Sequence, residues 1–204
     1  IPETVPRNFL PVDPSGQFLP VYDFAGERRV KVRLPSMGYR YFSFVKSEPS
    51  DRGQVSSEGA KAGEWFLENE LLSVRFAADG SISSIFDKQE DRELLSGAAN
   101  RLLLWEDKPY SWEAWDISHY YRETTPRQAE LSNRQIIEKE GTCAAIEQGF
   151  VLGNSAIEQK ISLHAGSRLI RFDTSVDWKE KRKLLKTHTE TSLIHHEASY
   201  EIQF

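Results

Sequence analysis

The chain has 204 residues and a formal net charge of -5. That length suits one domain, or a small domain joined to a larger one; a unit of roughly 140–150 residues buries about two-thirds of its unfolded surface. The acidic balance and the lack of a basic patch argue against nucleic acid as a partner, and no apolar run approaches the ~20 residues of a membrane-spanning helix.

Cys143 is the single cysteine, so no disulfide can form within the chain. No Asn-x-Ser/Thr sequon is present either, and both features fit a reducing, cytoplasmic compartment. The start, Ile1-Pro-Glu-Thr4, has neither an initiator Met nor a signal-peptide pattern, and Tyr200–Phe204 stops inside an alternating run. The chain therefore reads as a fragment of a longer protein.

Residues 1–46 carry two or three strand candidates. Gln17–Phe24 is apolar-rich but interrupted by Pro20. Val30–Leu34 alternates apolar and basic residues, the period of a half-buried strand, after a turn at Ala25-Gly26-Glu27. Tyr39–Val45 is aromatic-rich and again strand-like. These are too few for a covered sheet and are expected to be the end of a small β-domain whose other strands precede residue 1. Residues 47–63 are almost all small or polar, and such a stretch buries too little apolar surface to offset its ordering entropy. They are expected to be a linker, with a domain boundary there.

From residue 64 to 204 the strand period dominates. Leu72, Val74 and Phe76 face one way, with Ser73 and Arg75 opposite. Asp79-Gly80 signals a hairpin, because glycine accepts positive φ. Ile82, Ile85 and Phe86 return, and Asp87–Arg92 is a polar turn. Leu102–Trp105 reads as a buried strand. Gln128–Ile137 and Thr142–Leu152 flank a turn at Glu140-Gly141. Ile157, Gln159, Ile161 and Leu163 share a face, as do Ile170, Phe172, Thr174, Val176 and Trp178. Leu184–Thr189 and Ala198–Phe204 continue the period. Helix signals are weak, with only Gln89–Ser96 able to form a short turn. Many strands joined by hairpins predict an all-β fold, an antiparallel β-sandwich.

The chemistry concentrates in residues 105–121, Trp-Glu-Asp-Lys-Pro-Tyr-Ser-Trp-Glu-Ala-Trp-Asp-Ile-Ser-His-Tyr-Tyr. Aromatic faces stack on the apolar faces of a pyranose, and carboxylates accept hydrogen bonds from its hydroxyls. Tyr110, Trp112, Glu113, Trp115 and Asp116 are the candidates for sugar contact. The competing reading has Trp105, Trp112 and Trp115 plugging the end of the sandwich, since tryptophan is usually well buried. Glycosidases set two carboxylates about 5–10 Å apart across the scissile bond. Glu113 with Asp116, or Glu106 with Asp107, are weak candidates for such a pair, because carboxylates on loops are usually just solvated. His195-His196-Glu197 is not a metal motif: neighbours on a strand point to opposite faces, and no His or Cys grouping has ligand spacing. It reads as an exposed polar turn. Cys143 sits in the apolar run Cys-Ala-Ala-Ile and reads as a small core residue.

Several of these runs resemble one known family. They are Leu67–Phe76, Asp79–Lys88, Asn100-Arg-Leu-Leu-Leu-Trp-Glu-Asp-Lys-Pro109, Trp112-Glu-Ala-Trp-Asp-Ile117, Phe172–Trp178 and Ala198–Phe204, preceded by Leu34-Pro-Ser-Met-Gly-Tyr39. In this order they resemble the C-terminal β-domain of glycoside hydrolase family 38 α-mannosidases, with Trp105 and Glu113 where the family often has Phe and Asp. The resemblance implies a galactose-mutarotase-like super-sandwich, truncated here. It implies a whole enzyme that removes α-linked mannose with retention, using a zinc ion and an aspartate nucleophile in an N-terminal barrel domain. No catalytic residue and no metal ligand of that barrel falls on these residues, so none is expected in this chain. The expected role is a non-catalytic portion that packs on its own catalytic domain and lends residues 105–121 to the rim of the site. The alternatives are an autonomous carbohydrate-binding module using the same aromatics, and an interaction domain that forms a homo-oligomer.

Overall fold

A computed structural model of the chain describes residues 1, 4–24, 27–30, 32, 34–47, 59–112, 115–195 and 197. The fold is all-β and antiparallel, and a 3-10 helix at His119–Glu123 is the helical segment among the described residues. Two compact units form. The first takes residues up to 71 together with 135–147 and 160–172; the second takes 72–134, 148–159 and 173 onward.

The first unit holds strands β1 (Phe9–Val12), β2 (Val21–Phe24), β3 (Glu27–Val30) and β4 (Ser43–Lys46). They make two separate two-stranded sheets, β1-β4 and β2-β3. The strand expected at Val30–Leu34 lies earlier. Among the described residues the ladder runs from Phe24↔Glu27 to Val21↔Val30. Val32 and Leu34 are outside any strand, and Lys31 and Arg33 lie outside the described residues. The Tyr39–Val45 expectation is likewise trimmed to Ser43–Lys46, because β1 offers four residues to pair, from Phe9↔Lys46 to Val12↔Ser43. Tyr39 and Tyr41 stay exposed.

The linker expectation needs correction at its end. Ala60–Gly63 is a strand, β5, and it pairs with β6 (Phe66–Glu68) on one side and β13 (Glu140–Gly141) on the other. Ala60 and Ala62 are buried. Their side chains are too small to register as a hydrophobic run, yet they allow close packing and satisfied ladders. Residues 48–58, where the rest of the expected linker falls, lie outside the described residues. The turn read at Glu140-Gly141 is thus also a short paired strand.

In the second unit, β7 (Leu72–Phe76), β8 (Ile82–Asp87) and β9 (Arg92–Glu93) run antiparallel in that order. Leu72, Val74, Phe76 and Ile82 are buried on the shared face, as their alternation predicts. The Asp79-Gly80 hairpin is real: Gly80 sits at φ 87°, and Asp79 Oδ1 accepts from Ser81 N (3.0 Å) and Ser81 Oγ (2.6 Å). The helical turn considered at 89–96 does not form. Asp87 Oδ1 takes hydrogen bonds from Gln89 N (3.0 Å) and Glu90 N (3.2 Å), which bends the chain so that Arg92 and Glu93 pair back onto β8.

Four longer strands, β12 (Glu130–Glu138), β14 (Cys143–Leu152), β15 (Ser155–His164) and β16 (Ile170–Asp177), form a sheet in the order β12-β14-β15-β16, and each runs through both units. A second sheet in the second unit, β11-β10-β17, joins β10 (Arg101–Glu106), β11 (Arg127–Gln128) and β17 (Lys183–His188). The two sheets meet in a core of Leu102, Leu104, Ala129, Phe150, Leu152 and Ile157, with Leu131 and Leu185 at its margin. This is the sandwich. Each fully buried Leu or Ile there contributes about 1.5–3 kcal/mol of transfer free energy.

One face of β16 stays open to solvent. Phe172, Val176 and Trp178 share a face as predicted, but each remains 40–41% exposed. Strand β16 is at the edge of its sheet, and the described residues do not cover that face.

Two tests follow from this packing. Ile146, fully buried in β14, follows three buried residues, Cys143, Ala144 and Ala145. Ile146→Ala should lower the unfolding free energy by about 2–5 kcal/mol in urea titration. Acid should also destabilise the second unit. For Asp79, burial raises the pKa, but hydrogen bonds from Ser81 and Gln128 outweigh it and hold the carboxyl below its ordinary value. For Glu93, burial again opposes, and bonds from Ser84 Oγ, Leu95 N and Ile85 N prevail. The unfolded chain takes up these protons at higher pH than the folded one, so their stabilisation is present above about pH 4.5 and is lost as pH falls through the lowered folded values. Asp79→Asn should flatten part of that acid slope in chemical denaturation, and an unchanged slope would remove Asp79 from the account.

Candidate functional site

Residues 107–126 form one long connection from β10 to β11. Leu104 pairs with Arg127 and Leu103 with Gln128, so the connection leaves β10 and returns directly onto it. On its other side β10 pairs with β17 from Arg101↔His188 to Glu106↔Lys183. The buried face of Leu102 and Leu104 fixes which way β10 points, and therefore where the connection emerges.

The base of the connection is built from Trp105, Glu106, Asp107 and Tyr121. Trp105 meets Tyr121 edge-on, with ring centroids 5.4 Å apart and planes at 81°. The Tyr121 hydroxyl accepts from Lys186 Nζ at 2.5 Å and from Arg122 Nε at 3.2 Å, and Lys186 Nζ also lies 4.6 Å from the ring centroid. The hydrogen bond from Lys186, followed by that from Arg122, holds the Tyr121 phenol below the usual tyrosine range. Glu106 pairs with Lys183 and, at 3.2 Å, with Lys108. Asp107 N donates to Arg182 O at 2.9 Å, while Asp107 Oδ1 is enclosed with no hydrogen-bond partner among the described residues.

The tip of the connection presents the predicted aromatics to solvent. Tyr110 is fully exposed, Trp112 is 73% exposed and Trp115 is 90% exposed. The plug reading therefore does not describe Trp112 or Trp115 in this chain. Trp105, by contrast, is half-buried on Tyr121. Trp112 turns the backbone at φ 62°, a left-handed conformation that costs a bulky residue about 1–3 kcal/mol. Its carbonyl accepts from Trp115 N (2.8 Å) and Asp116 N (3.0 Å). These bonds bring Trp112, Trp115 and Asp116 into one tight turn, and Asp116 is exposed. Glu113 lies outside the described residues. Of the weak carboxylate pair, Glu106 is tied to two lysines and Asp107 has one enclosed carboxylate oxygen.

His195 also reads as a local feature, its Nδ1 lying 2.7 Å from Glu197 O. His119 stacks at a tilt on Tyr120, 4.2 Å between centroids. Among the described residues no three His, Cys, Asp or Glu side chains are grouped to hold a metal ion. Cys143 is buried, and burial followed by the charge of Glu138 pushes its thiol up to about 11, which leaves it protonated at neutral pH.

Sequence reasoning did not single out Tyr121, Lys186, Lys183 or Glu180 at this end of the sandwich. Lys183 and Lys186 matter because β17 pairs with β10, a register that the sequence does not reveal. The Gly153-Asn154 turn between β14 and β15 did carry a signal, a Gly-Asn pair between two apolar runs; Gly153 adopts φ 66°.

Comparison with known proteins agrees with this architecture. Residues 67–204 match the model of the glycosyl hydrolases family 38 C-terminal domain. The chain is 26% identical to "Alpha-mannosidase G" of Dictyostelium discoideum, over 98% of this chain and 18% of that protein. It is 30% identical to "Alpha-mannosidase 2C1" of Mus musculus, over 70% of this chain and 14% of that protein, and 29% identical to the Homo sapiens "Alpha-mannosidase 2C1" over 85% and 17%. The chain thus spans less than a fifth of the length of these curated relatives.

The Tyr121 anchor can be read directly. Phenolate absorbance during alkaline titration should show one tyrosine ionising below the usual range, and Lys186→Met should return it towards the ordinary value. If the variant leaves the titration unchanged, Lys186 does not hold the base of the connection.

Proposed function

Since the chain belongs to glycosyl hydrolase family 38 through its C-terminal domain, we propose that it is a non-catalytic β-sandwich portion of a retaining α-mannosidase, and that residues 105–121 border the site at which α-linked mannose is removed from oligosaccharides. The observation that carries this reading is the pair of exposed tryptophans, Trp112 and Trp115, held in one turn with Asp116 at the end of a firmly registered strand. Exposed indoles are costly in water unless a ligand or another domain covers them, and their flat faces suit the C–H face of a pyranose. Asp116, Glu113 and Tyr110 would supply hydrogen bonds beside them.

The chemistry is assigned to another part of a longer enzyme. The relatives named above are α-mannosidases several times longer than this chain. The zinc ion that the family resemblance implies would belong to that other part; among the described residues no three His, Cys, Asp or Glu side chains are grouped to hold a metal ion. The sandwich would pack against the catalytic domain, and the lone cysteine and absent sequons support a cytoplasmic setting. No helix among the described residues is long and apolar enough to cross a membrane.

The same exposed aromatics favour one other reading, an autonomous carbohydrate-binding module. Tryptophan fluorescence during titration with oligomannose separates the two: saturable binding by the isolated chain favours the module, and a flat response favours the portion of an enzyme.

In the intact enzyme, Trp112→Ala and Trp115→Ala should each lower kcat/KM for mannosides about tenfold or more while the protein remains folded. Unchanged kcat and KM in both variants would refute the placement of this loop at the substrate.

A further inference from the structure

A cleft of about 520 Å³ opens at the foot of the aromatic connection, lined by Leu104, Glu106, Thr125, Arg127, Gly153, Asn154, Glu180 and Lys183. The β10, β11 and β17 ends supply one side and the β14–β15 turn the other. Its volume falls within the range of small-molecule sites, about 300–1,000 Å³, and leaves room for more than one pyranose ring.

The lining is polar and carries two acidic side chains, Glu106 and Glu180, and two basic ones, Arg127 and Lys183. Lys183 is paired with Glu106, and Arg127 donates to Glu130 at 2.8 Å. No net charge is left to draw in an anion or a metal cation, yet hydrogen-bonding capacity remains: a guanidinium has five N–H donors and a carboxylate about four acceptor sites. Glu180 is held in place. Its Oε1 accepts from Asn154 N at 2.5 Å, and the carboxylate lies so close over Gly153 that a Cβ there would come within 2.4 Å of Oε1. Gly153 is also at φ 66°, so both its conformation and its missing side chain are needed to seat Glu180 against the cleft wall. Leu104 adds an apolar floor.

We propose that this cleft is a binding subsite for a neutral polyhydroxyl chain, an α-linked mannose oligosaccharide, with Glu180 and Arg127 as its main hydrogen-bonding groups. Paired vicinal hydroxyls satisfy fixed carboxylate and guanidinium groups without bringing a charge of their own, and the floor of Leu104 takes the C–H face of a ring. The choice of mannose, rather than another neutral glycan, rests on the functional reading above.

The test is an amide and indole N–H shift titration of the 204-residue chain with α-linked mannotriose, with inorganic phosphate as a separate arm. Mannotriose should produce saturable shifts at Gly153, Asn154 and Lys183. Glu180→Ala should weaken them about tenfold or more, as loss of charge-assisted hydrogen bonds predicts. Arg127→Met provides an independent variant with the same expected direction, and only variants retaining the native spread of amide shifts are compared. Trp112→Ala should leave the cleft shifts in place. Shifts confined to the indoles of Trp112 and Trp115 would overturn the cleft while leaving the loop reading intact. Cleft shifts with silent indoles would support the cleft and count against the loop. Tighter binding of phosphate than of mannotriose, or no cleft response to mannotriose, would overturn the proposal.

Discussion

The antiparallel ladders on both edges of β10 hold the loop end of the sandwich in register. Six residues of β10 pair with β17, two pair with β11, and the Leu102–Leu104 face is locked into the core between the sheets. A one-residue slip of β10 would move Leu102 and Leu104 off this core face and put Arg101, Leu103 and Trp105 there, so the packing of this face fixes the register. Everything at that end inherits this constraint. Trp105 and Glu106 emerge at defined points, Glu106 faces Lys183, and the connection must return to meet Arg127 opposite Leu104. A connection of about twenty residues closed across one strand pair costs little more entropy than a shorter one, since closure entropy grows only with the logarithm of length. Its length is therefore free to be set by function.

Two kinds of chemistry follow from this one anchor. At the base, aromatic and cationic contacts around Tyr121 make the connection firm. At the tip, the turn at Trp112 holds two indoles in water. Between base and core lies a polar cleft in which Lys183 is paired with Glu106. In the reading proposed above, a firm base, a presented aromatic tip and a hydrogen-bonding cleft make up a surface for carbohydrate, and among the described residues no three His, Cys, Asp or Glu side chains are grouped to hold a metal ion. This division is physically reasonable for a portion of a larger enzyme: binding energy from groups remote from the reacting bond contributes to catalysis when it orients the substrate.

Much of the fold was legible in the residues. The alternation of Leu72, Val74 and Phe76, the Asp79-Gly80 hairpin, the Leu102–Leu104 core strand and the inward face of Ile157, Ile161 and Leu163 all stand as their periodicity implied. The departures have identifiable causes. Strand β5 hid in a run of small residues because alanine and glycine carry little hydrophobic signal, although Ala60 and Ala62 are buried. Strand β1 hid behind Pro11. The short N-terminal ladders ended where their partners did, which a single strand's pattern cannot show. At the site, the aromatic cluster was visible in the sequence, but the choice between plug and display depended on three-dimensional packing. Trp105 packs while Trp112 and Trp115 do not. The roles of Lys183, Lys186 and Glu180 arise from strand pairing across about 30–80 residues of chain, a non-local contact that local pattern does not encode.

In the reading proposed above, this chain contributes fold and surface to a mannosidase while the bond-breaking groups lie elsewhere. The most direct measurement is an assay of the isolated 204-residue chain with an aryl α-mannoside, with and without added zinc. No release of the aryl group above the uncatalysed rate is expected in either condition. Sustained turnover by the purified chain, abolished by substitution within residues 105–121, would contradict it.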